Sequence, residues 1–173
     1  MSESMVNSRQ SPPGELPEGK FAGPAAFSEM VRLALATAAA QGWREVILSD
    51  QDFHDWPLGE RAVIESLNDW ARSGRQFTMI AANFDAVHRR HARFVTWRKT
   101  WSHLIDCRLA GKNRISDVPS ALWSPEWVFH RLDPVRMLGF AGSEAARRVI
   151  LRERLTELML KSAPGFAATT LGL

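Results

Sequence analysis

The chain has 173 residues, of which 45% are hydrophobic and 24% are charged, a balance that is typical of one folded domain and excludes general disorder. Its formal net charge is +3 and it has one cysteine, so the sequence excludes an internal disulfide and any metal site built from several cysteines. No segment reaches the ~20 consecutive apolar residues that span a bilayer, and the start lacks the regions of a signal peptide. We therefore expect a cytoplasmic protein without membrane insertion.

The first part of the chain predicts a tail, a helix and a strand. Residues 1–24 are rich in Ser, Pro, Gly and Glu, a composition that predicts a flexible tail. Apolar residues then recur at three- and four-residue spacing, which predicts a helix from about Ala25 to Ala40 that ends at Gly42. The short apolar run at residues 45–49 predicts a buried strand, and a loop over residues 50–57 begins where this strand ends.

The middle of the chain alternates between helix and strand. Apolar spacing over residues 59–73 predicts a second helix, and QFTMIAA at residues 76–82 predicts a second strand. A third helix is predicted over residues 83–101, where apolar side chains again form one stripe. The alternating run at residues 103–109 predicts a third strand.

The last part of the chain predicts a β-hairpin and a long helix. Residues 121–123 and 127–132 are short extended pieces, and Ser-Pro-Glu at residues 124–126 is typical of the turn between them. Ser143 is predicted to cap a final helix that runs to about Lys161.

This order of elements, αβαβαβββα, predicts an α/β fold. Strands that alternate with helices favour a mixed, mainly parallel central sheet with helices on both faces, here with a hairpin appended and a long C-terminal helix. The predicted domain spans residues 25–166, between the predicted tail at residues 1–24 and a C-terminal tail at residues 167–173.

Acidic residues and a histidine follow the first predicted strand. Ligands of open α/β sheets usually lie beyond the carboxyl ends of the strands. Carboxylates beside an imidazole bind divalent metals or take part in acid–base chemistry. Aspartates also form turns and cap helices, and the spacing matches no defined metal motif. The sequence therefore leaves two interpretations, a binding pocket and a purely structural loop. The candidate pocket residues are Asp50, Asp52, His54 and Asp55.

The charges are unevenly distributed along the chain. Between Arg72 and Arg114 there are ten basic and two acidic residues, which would create a positive surface if this segment folds together. Guanidinium groups match phosphate oxygens, and Trp97 and Trp101 lie among them, as in surfaces that stack bases. Solvated arginines with both tryptophans in the core are the alternative. The candidate phosphate-binding residues are Arg89, Arg90 and Arg93.

Two further histidines lie on the third predicted helix. His88 and His91 are three residues apart, a spacing that places two metal ligands on one face. No third ligand is nearby, and His91 falls on the apolar stripe, so a hydrogen-bonded core histidine is the favoured interpretation. The chain also lacks the glycine-rich phosphate loops and the Gly-x-Ser-x-Gly motif of common α/β enzymes. We expect neither a metal nor a cofactor.

Four stretches between about Phe27 and Phe166 share a resemblance to one known family. They are EVILSDQDFHDWPLGE at 45–60, RSGRQFTMIAANFD at 72–85, ALWSPEWVFHRLD at 121–133, and Gly142-Ser143. Together they resemble one half of a phospholipase D-like protein, which implies that family's α/β fold. Active members have a His-x-Lys-x4-Asp motif just before and within the hairpin, and its His attacks phosphorus. Two such halves meet within one chain or as a dimer, so the resemblance implies a homodimer here.

The chain departs from the family's catalytic motif. If Ser124 takes the place of the motif's Asp, then Asp117 and Pro119 stand where its His and Lys belong, and neither can do their work. The later His130 and Asp133 lack the required spacing. The resemblance therefore implies the fold of this family without its known catalytic residues.

Three functional hypotheses follow. The favoured one is a non-catalytic phospholipase D-like domain, a homodimeric binding or assembly protein whose ligand the sequence does not identify, with an anionic or phosphate-containing compound as a candidate. The second is a nucleic-acid- or phosphate-binding module that uses the basic block from Arg72 to Arg114. The third is a divergent phosphodiesterase or metal-dependent hydrolase that uses Asp50, Asp52 and His54.

Overall fold

The structure is a computed structural model that describes residues 15–111 and 118–168. These ranges contain five α-helices and eight strands. The helices are α1 (Pro24–Gln41), α2 (Arg61–Ala71), α3 (Asp85–Arg90), α4 (Ala92–Thr100) and α5 (Ala145–Leu160). The strands are β1 (Gly19–Ala22), β2 (Glu45–Ser49), β3 (Gln76–Ala81), β4 (Ile105–Leu109), β5 (Ser120–Trp123), β6 (Val128–Asp133), β7 (Leu138–Gly142) and β8 (Ala163–Pro164).

The eight strands of the described ranges form one sheet in the order β1-β7-β6-β5-β2-β3-β4-β8. β2, β3 and β4 are parallel neighbours joined by helices, as the sequence predicts. The other five neighbouring pairs of described strands are antiparallel. The sheet is therefore mixed, but the prediction that it is mainly parallel is wrong. The connections from β5 to β6 and from β6 to β7 are too short for a parallel crossover, so these strands form an antiparallel meander.

Helices cover both faces of the sheet, as predicted. α1, α2 and α4 pack on the face where Phe77 and Phe129 are fully buried. α5 packs on the opposite face, where Leu155 belongs to a cluster with Ile47 and Trp123. Successive side chains of a strand point to opposite faces, so β2, β3, β5 and β6 each contribute to both clusters. Within the described residues, no helix is both long and apolar enough to cross a membrane.

Part of the predicted N-terminal tail belongs to the fold. Residues 19–22 form β1, which pairs with β7 at the edge of the sheet. Just before it, the indole Nε1 of Trp127 donates a hydrogen bond to the carbonyl of Pro17 at 3.0 Å. A four-residue strand is too short to show a clear alternation of polar and apolar residues, which is why the sequence predicts no strand there. Residues 1–14 lie outside the described residues.

The predicted cap of the last helix is wrong. α5 begins at Ala145 with Glu144 at its N-cap position. The hydroxyl of Ser143 instead donates a hydrogen bond to Glu18 Oε1 at 2.6 Å. Ser143 thus ties the end of β7 to the segment before β1, a contact between residues that are distant in sequence.

The third predicted helix is broken at His91. The backbone of His91 has φ −122° and ψ 55°, which is not helical, so α3 ends before this residue and α4 begins after it. The predicted hairpin is confirmed: β5 and β6 are antiparallel neighbours, and the hydroxyl of Ser124 donates to the carbonyl of Trp127 at 2.6 Å. The same oxygen accepts the backbone N–H of Trp127 at 2.9 Å, so Ser124 closes the turn.

Candidate functional site

A buried cluster of charges joins β6 to the end of β2. Arg131 of β6 donates from Nη1 to Asp55 Oδ2 at 2.7 Å and from Nη2 to Asp55 Oδ1 at 3.0 Å, the bidentate arrangement that matches a guanidinium to a carboxylate. Nη2 also lies 3.1 Å from Asp50 Oδ1, and Nε donates to Ser120 Oγ at 2.9 Å. The Arg131 side chain is 1% exposed, and those of Asp50 and Asp55 are 6% and 15% exposed.

The buried position of Arg131 makes the cluster dependent on all its members. Taking charges out of water costs several kcal/mol per ion, and the mutual attraction offsets this cost only when the geometry is good and the remaining polar atoms are satisfied. Here all three nitrogens of the Arg131 guanidinium donate hydrogen bonds. The ring of Phe27 lies 4.1 Å from the guanidinium carbon and adds a cation–π contact.

Asp50 also shapes the loop that follows β2. Its Oδ2 accepts the backbone N–H groups of Phe53 at 2.8 Å and Asp52 at 3.2 Å. Phe53 is fully buried with φ 58°, a left-handed conformation that is uncommon for a residue other than glycine. Its carbonyl accepts a hydrogen bond from His91 Nε2 at 2.8 Å. Both oxygens of Asp50 are therefore occupied within the fold, and the loop has a defined shape.

Asp52 and His54 form a hydrogen-bonded pair on the exposed side of this loop. His54 Nδ1 and Asp52 Oδ1 are 2.7 Å apart, and the side chains are 52% and 35% exposed. The hydrogen bond that His54 donates to Asp52 raises the pKa of His54 above its ordinary value, and the charges of Asp55 and Asp50 act in the same direction. Burial alone would raise the pKa of Asp52, but the hydrogen bonds with His54 lower it below its ordinary value. The two shifts together favour an imidazolium–carboxylate pair.

A cleft of about 660 Å³ opens at this edge of the sheet. One wall is the loop after β2, and the other includes His130 of β6 and Arg154 of α5. Burial lowers the pKa of His130, and the charge of Arg154 adds to this effect. All four pocket residues predicted from the sequence line the cleft. They are Asp50, Asp52, His54 and Asp55.

Arg131 is a site residue that the sequence does not predict. It lies in β6, within the β5–β6 hairpin, but its two carboxylate partners are 76 and 81 residues away in sequence, and no local pattern connects them. Pro119, which stands where the phospholipase D-like motif has its Lys, lines the same cleft. Asp117 lies outside the described residues. The described residues contain no group of three or more metal-ligating side chains that could hold a metal ion.

The basic block does not form one surface. Arg72 and Arg75 lie before β3, at its amino end, whereas the arginines of α3 follow its carboxyl end. Arg98 is 7% exposed, and its guanidinium carbon lies 5.7 Å from the centre of the Phe166 ring. Trp97 is 2% exposed, so it offers no face on which a base could stack. The last two cations of the block, at positions 112 and 114, lie outside the described residues.

Arg89 and Arg90 at the end of α3 and Arg93 in α4 are each exposed. Arg93 Nη1 donates to the carbonyl of Gly59 at 2.9 Å, and the charge of Arg90 helps to lower the pKa of Asp52. The three predicted phosphate-binding residues therefore lie at the same edge of the sheet as the cleft.

The two histidines of the third predicted helix are separated by the helix break. His91 is buried, its ring is hydrogen bonded, and burial lowers its pKa, so its interpretation as a core residue is confirmed. His88 is exposed and stacks on Phe166, with ring centres 4.5 Å apart.

No protein-family model matches the chain, and no curated protein is significantly similar to it. The fold is similar to that of TrmBL2. TrmBL2 is an archaeal chromatin protein whose structure "shows a novel mode of DNA binding". The TM-score is 0.62 and the sequence identity is 13% over 91% of this chain, so the similarity shows the fold alone. The matched region covers 57% of TrmBL2, which is thus considerably longer than this chain.

Proposed function

We propose that this protein is a binding domain whose ligand is a small polar molecule held in the cleft. The observation that supports the proposal is that only some of the acidic residues are used by the fold. Arg131 forms ion pairs with Asp50 and Asp55, whereas Asp52 and His54 remain exposed toward a cleft of about 660 Å³. This volume falls within the ~300–1,000 Å³ of typical small-molecule sites.

The charges of the cleft nearly balance, which indicates the class of ligand. Its described lining contains three aspartates, two arginines and two histidines. A ligand is then selected by hydrogen bonds and shape rather than by net charge. Asp52 offers acceptor oxygens and His54 offers a donor, while Leu132 and Val135 contribute apolar surface to the other wall. This combination favours a neutral polyhydroxyl compound of about the size of a monosaccharide over the anionic ligand expected from the sequence.

NMR spectra of the histidine ring protons test this proposal, with D-glucose as the probe. Glucose is expected to shift the His54 resonances in a saturable manner and to leave unchanged those of His103, which lies before β4 at the opposite edge of the sheet. Asp52→Asn is expected to weaken binding about tenfold, the effect of one hydrogen bond. The matched control is Asp69→Asn, an exposed carboxylate at the end of α2. Unchanged His54 resonances at millimolar glucose would contradict the proposal.

A second candidate function is nucleic-acid binding. The observation that favours it is the exposed group of Arg89, Arg90 and Arg93 at the edge of the sheet where the loop after β2 also lies. Clustered cations of this kind bind phosphates. The similarity of fold to TrmBL2, a protein described as binding DNA, supports this candidate in the coarse sense that such a fold occurs in a DNA-binding protein.

Fluorescence anisotropy with a labelled DNA duplex tests the second candidate. Wild-type affinity is expected to fall with salt by about one log unit per log unit of salt for each phosphate contacted. Arg89→Gln combined with Arg93→Gln is expected to reduce this slope by about two. Arg72→Gln combined with Arg75→Gln, at the opposite end of β3, is the matched control and should leave the slope unchanged. No binding even at low salt would exclude this function.

The other hypotheses from the sequence stay predictions. The similarity to TrmBL2 does not bear on a phospholipase D-like relationship, on a non-catalytic role or on the cytoplasmic location. The hydrolase alternative has less support, because both carboxylate oxygens of Asp50 accept hydrogen bonds within the fold and are not free to act as a base. The homodimer that the resemblance implies also stays a prediction.

A further inference from the structure

One face of the sheet is partly uncovered among the described residues. α5 packs over β5 and β2, where Trp123 Nε1 donates to the carbonyl of Arg148 at 2.9 Å. Beside it, β6 and β7 leave Leu132 68% exposed and Leu138 39% exposed. A groove of about 180 Å³ runs between α5 and these strands, and Phe140 is part of its apolar lining. Contiguous apolar surface of this kind marks a contact site.

The outward side of α5 continues the apolar surface of the groove, because Ile150 lines the groove and is also exposed on this side. Val149 is 56% exposed and Ile150 is 66% exposed. Glu153 follows Ile150 by three residues, so it lies on the same side of the helix. Glu153 is exposed and makes no ion pair with any residue in the described ranges. We call Val149, Ile150 and Glu153 the ridge of α5.

The groove has the charge that complements this ridge. The guanidinium of Arg147 lies 3.5 Å from the centre of the Phe140 ring and forms the rim of the groove. Its Nε also pairs with Glu144 Oε2 at 3.2 Å, an exposed ion pair of the kind that contributes little energy. Lys20 of β1 adds a second cation at the continuation of the same apolar surface. The ridge is thus apolar with a carboxylate, and the groove is apolar with a basic rim.

We propose that a second copy of this chain docks on this face, with the ridge of each copy packed into the groove of the other. Each copy presents both surfaces, so a two-fold axis forms both contacts at once, which is the self-complementarity that a symmetric dimer requires. Glu153 of one copy then faces Arg147 of the other, twice in each dimer. The proposal does not depend on the ligand proposed for the cleft.

The molar mass in solution tests the proposal with the full chain. Sedimentation equilibrium over a range of concentrations is expected to give twice the chain mass of 19.4 kDa. Ile150→Asp places a charge at the centre of both contacts and is expected to give the monomer. Ala36→Asp is the matched control, because it introduces an aspartate at an exposed position of α1, on the opposite face of the sheet. Circular dichroism checks that both variants are folded.

Charge reversal tests the predicted pairing itself. Glu153→Arg and Arg147→Glu are each expected to raise the dimer dissociation constant about tenfold or more, because like charges then face each other at two places. The double variant restores opposite charges and is expected to return to within about threefold of the wild type. A wild-type monomer at every concentration, an Ile150→Asp dimer as tight as the wild type, or a double variant no tighter than the single ones would each overturn the proposal.

Discussion

Replacing Arg131 by Met tests the argument that the buried cluster is stable only as a unit. Met has a similar length and no charge, so the variant leaves Asp50 and Asp55 with side chains that are 6% and 15% exposed and without the guanidinium between them. The nearest remaining cationic group is His54, whose Nε2 lies 3.9 Å from Asp55 Oδ2. Removing one partner of a buried ion pair costs about 3–5 kcal/mol, because the remaining charge is uncompensated. A whole domain has about 5–15 kcal/mol of stability, so we expect the variant to lose a large part of it.

Urea unfolding followed by tryptophan fluorescence measures this loss. Combining Arg131→Met with Asp50→Asn and Asp55→Asn removes the uncompensated charges and is expected to recover part of the stability. A loss below about 1 kcal/mol at neutral pH, typical of exposed ion pairs, would refute the reasoning, as would a triple variant no more stable than Arg131→Met alone.

Two further changes test the loop pair and a close contact in the core. Asp52→Asn is expected to lower the pKa of His54 measured by NMR; because the folded-state pKa is raised, this pair stabilises the fold below the unfolded-state value of about 6.5, and the effect is lost as pH rises through the folded-state pKa. Gly74→Ala would place a Cβ 2.3 Å from the buried Trp70 ring, and urea unfolding should show a loss of about 1–3 kcal/mol. Gly111→Ala has open space around it, so it should change the stability little.

The parts of the fold that follow local patterns could be predicted from the sequence. The parallel strands β2, β3 and β4 each have an apolar core flanked by polar residues, and the helices that connect them have apolar stripes. The predicted order of these strands and helices is therefore correct. The break at His91 could not be predicted, because the local apolar spacing continues through it; the side chain of His91 is hydrogen bonded to the carbonyl of Phe53, a residue 38 positions away. The antiparallel pairings of β1 and β8 were missed because these strands are short and their hydrogen-bonding partners are distant in sequence.

The candidate cleft shows the same limit. The position of the loop after β2 was predicted, because the carboxyl end of a strand is where ligands of such sheets usually lie. Which of its aspartates pair with Arg131 could not be predicted, because this depends on the register that places Arg131 opposite Ser120 in the β5–β6 pair. A shift of this register by one residue would turn Arg131 to the other face of the sheet. Long-range pairing thus determines which carboxylates of the cleft are bound by Arg131.

The alternation of side chains along β6 also links the cleft to the proposed dimer contact. Arg131 points to the face covered by α1, whereas its neighbour Leu132 lines both the cleft and the groove beside α5. A second copy that covers Leu132 would therefore remove from water an apolar wall of the ligand site. If both proposals hold, glucose should bind the Ile150→Asp monomer with a different affinity from the dimer. Equal affinities would mean that the two sites share a strand without influencing each other.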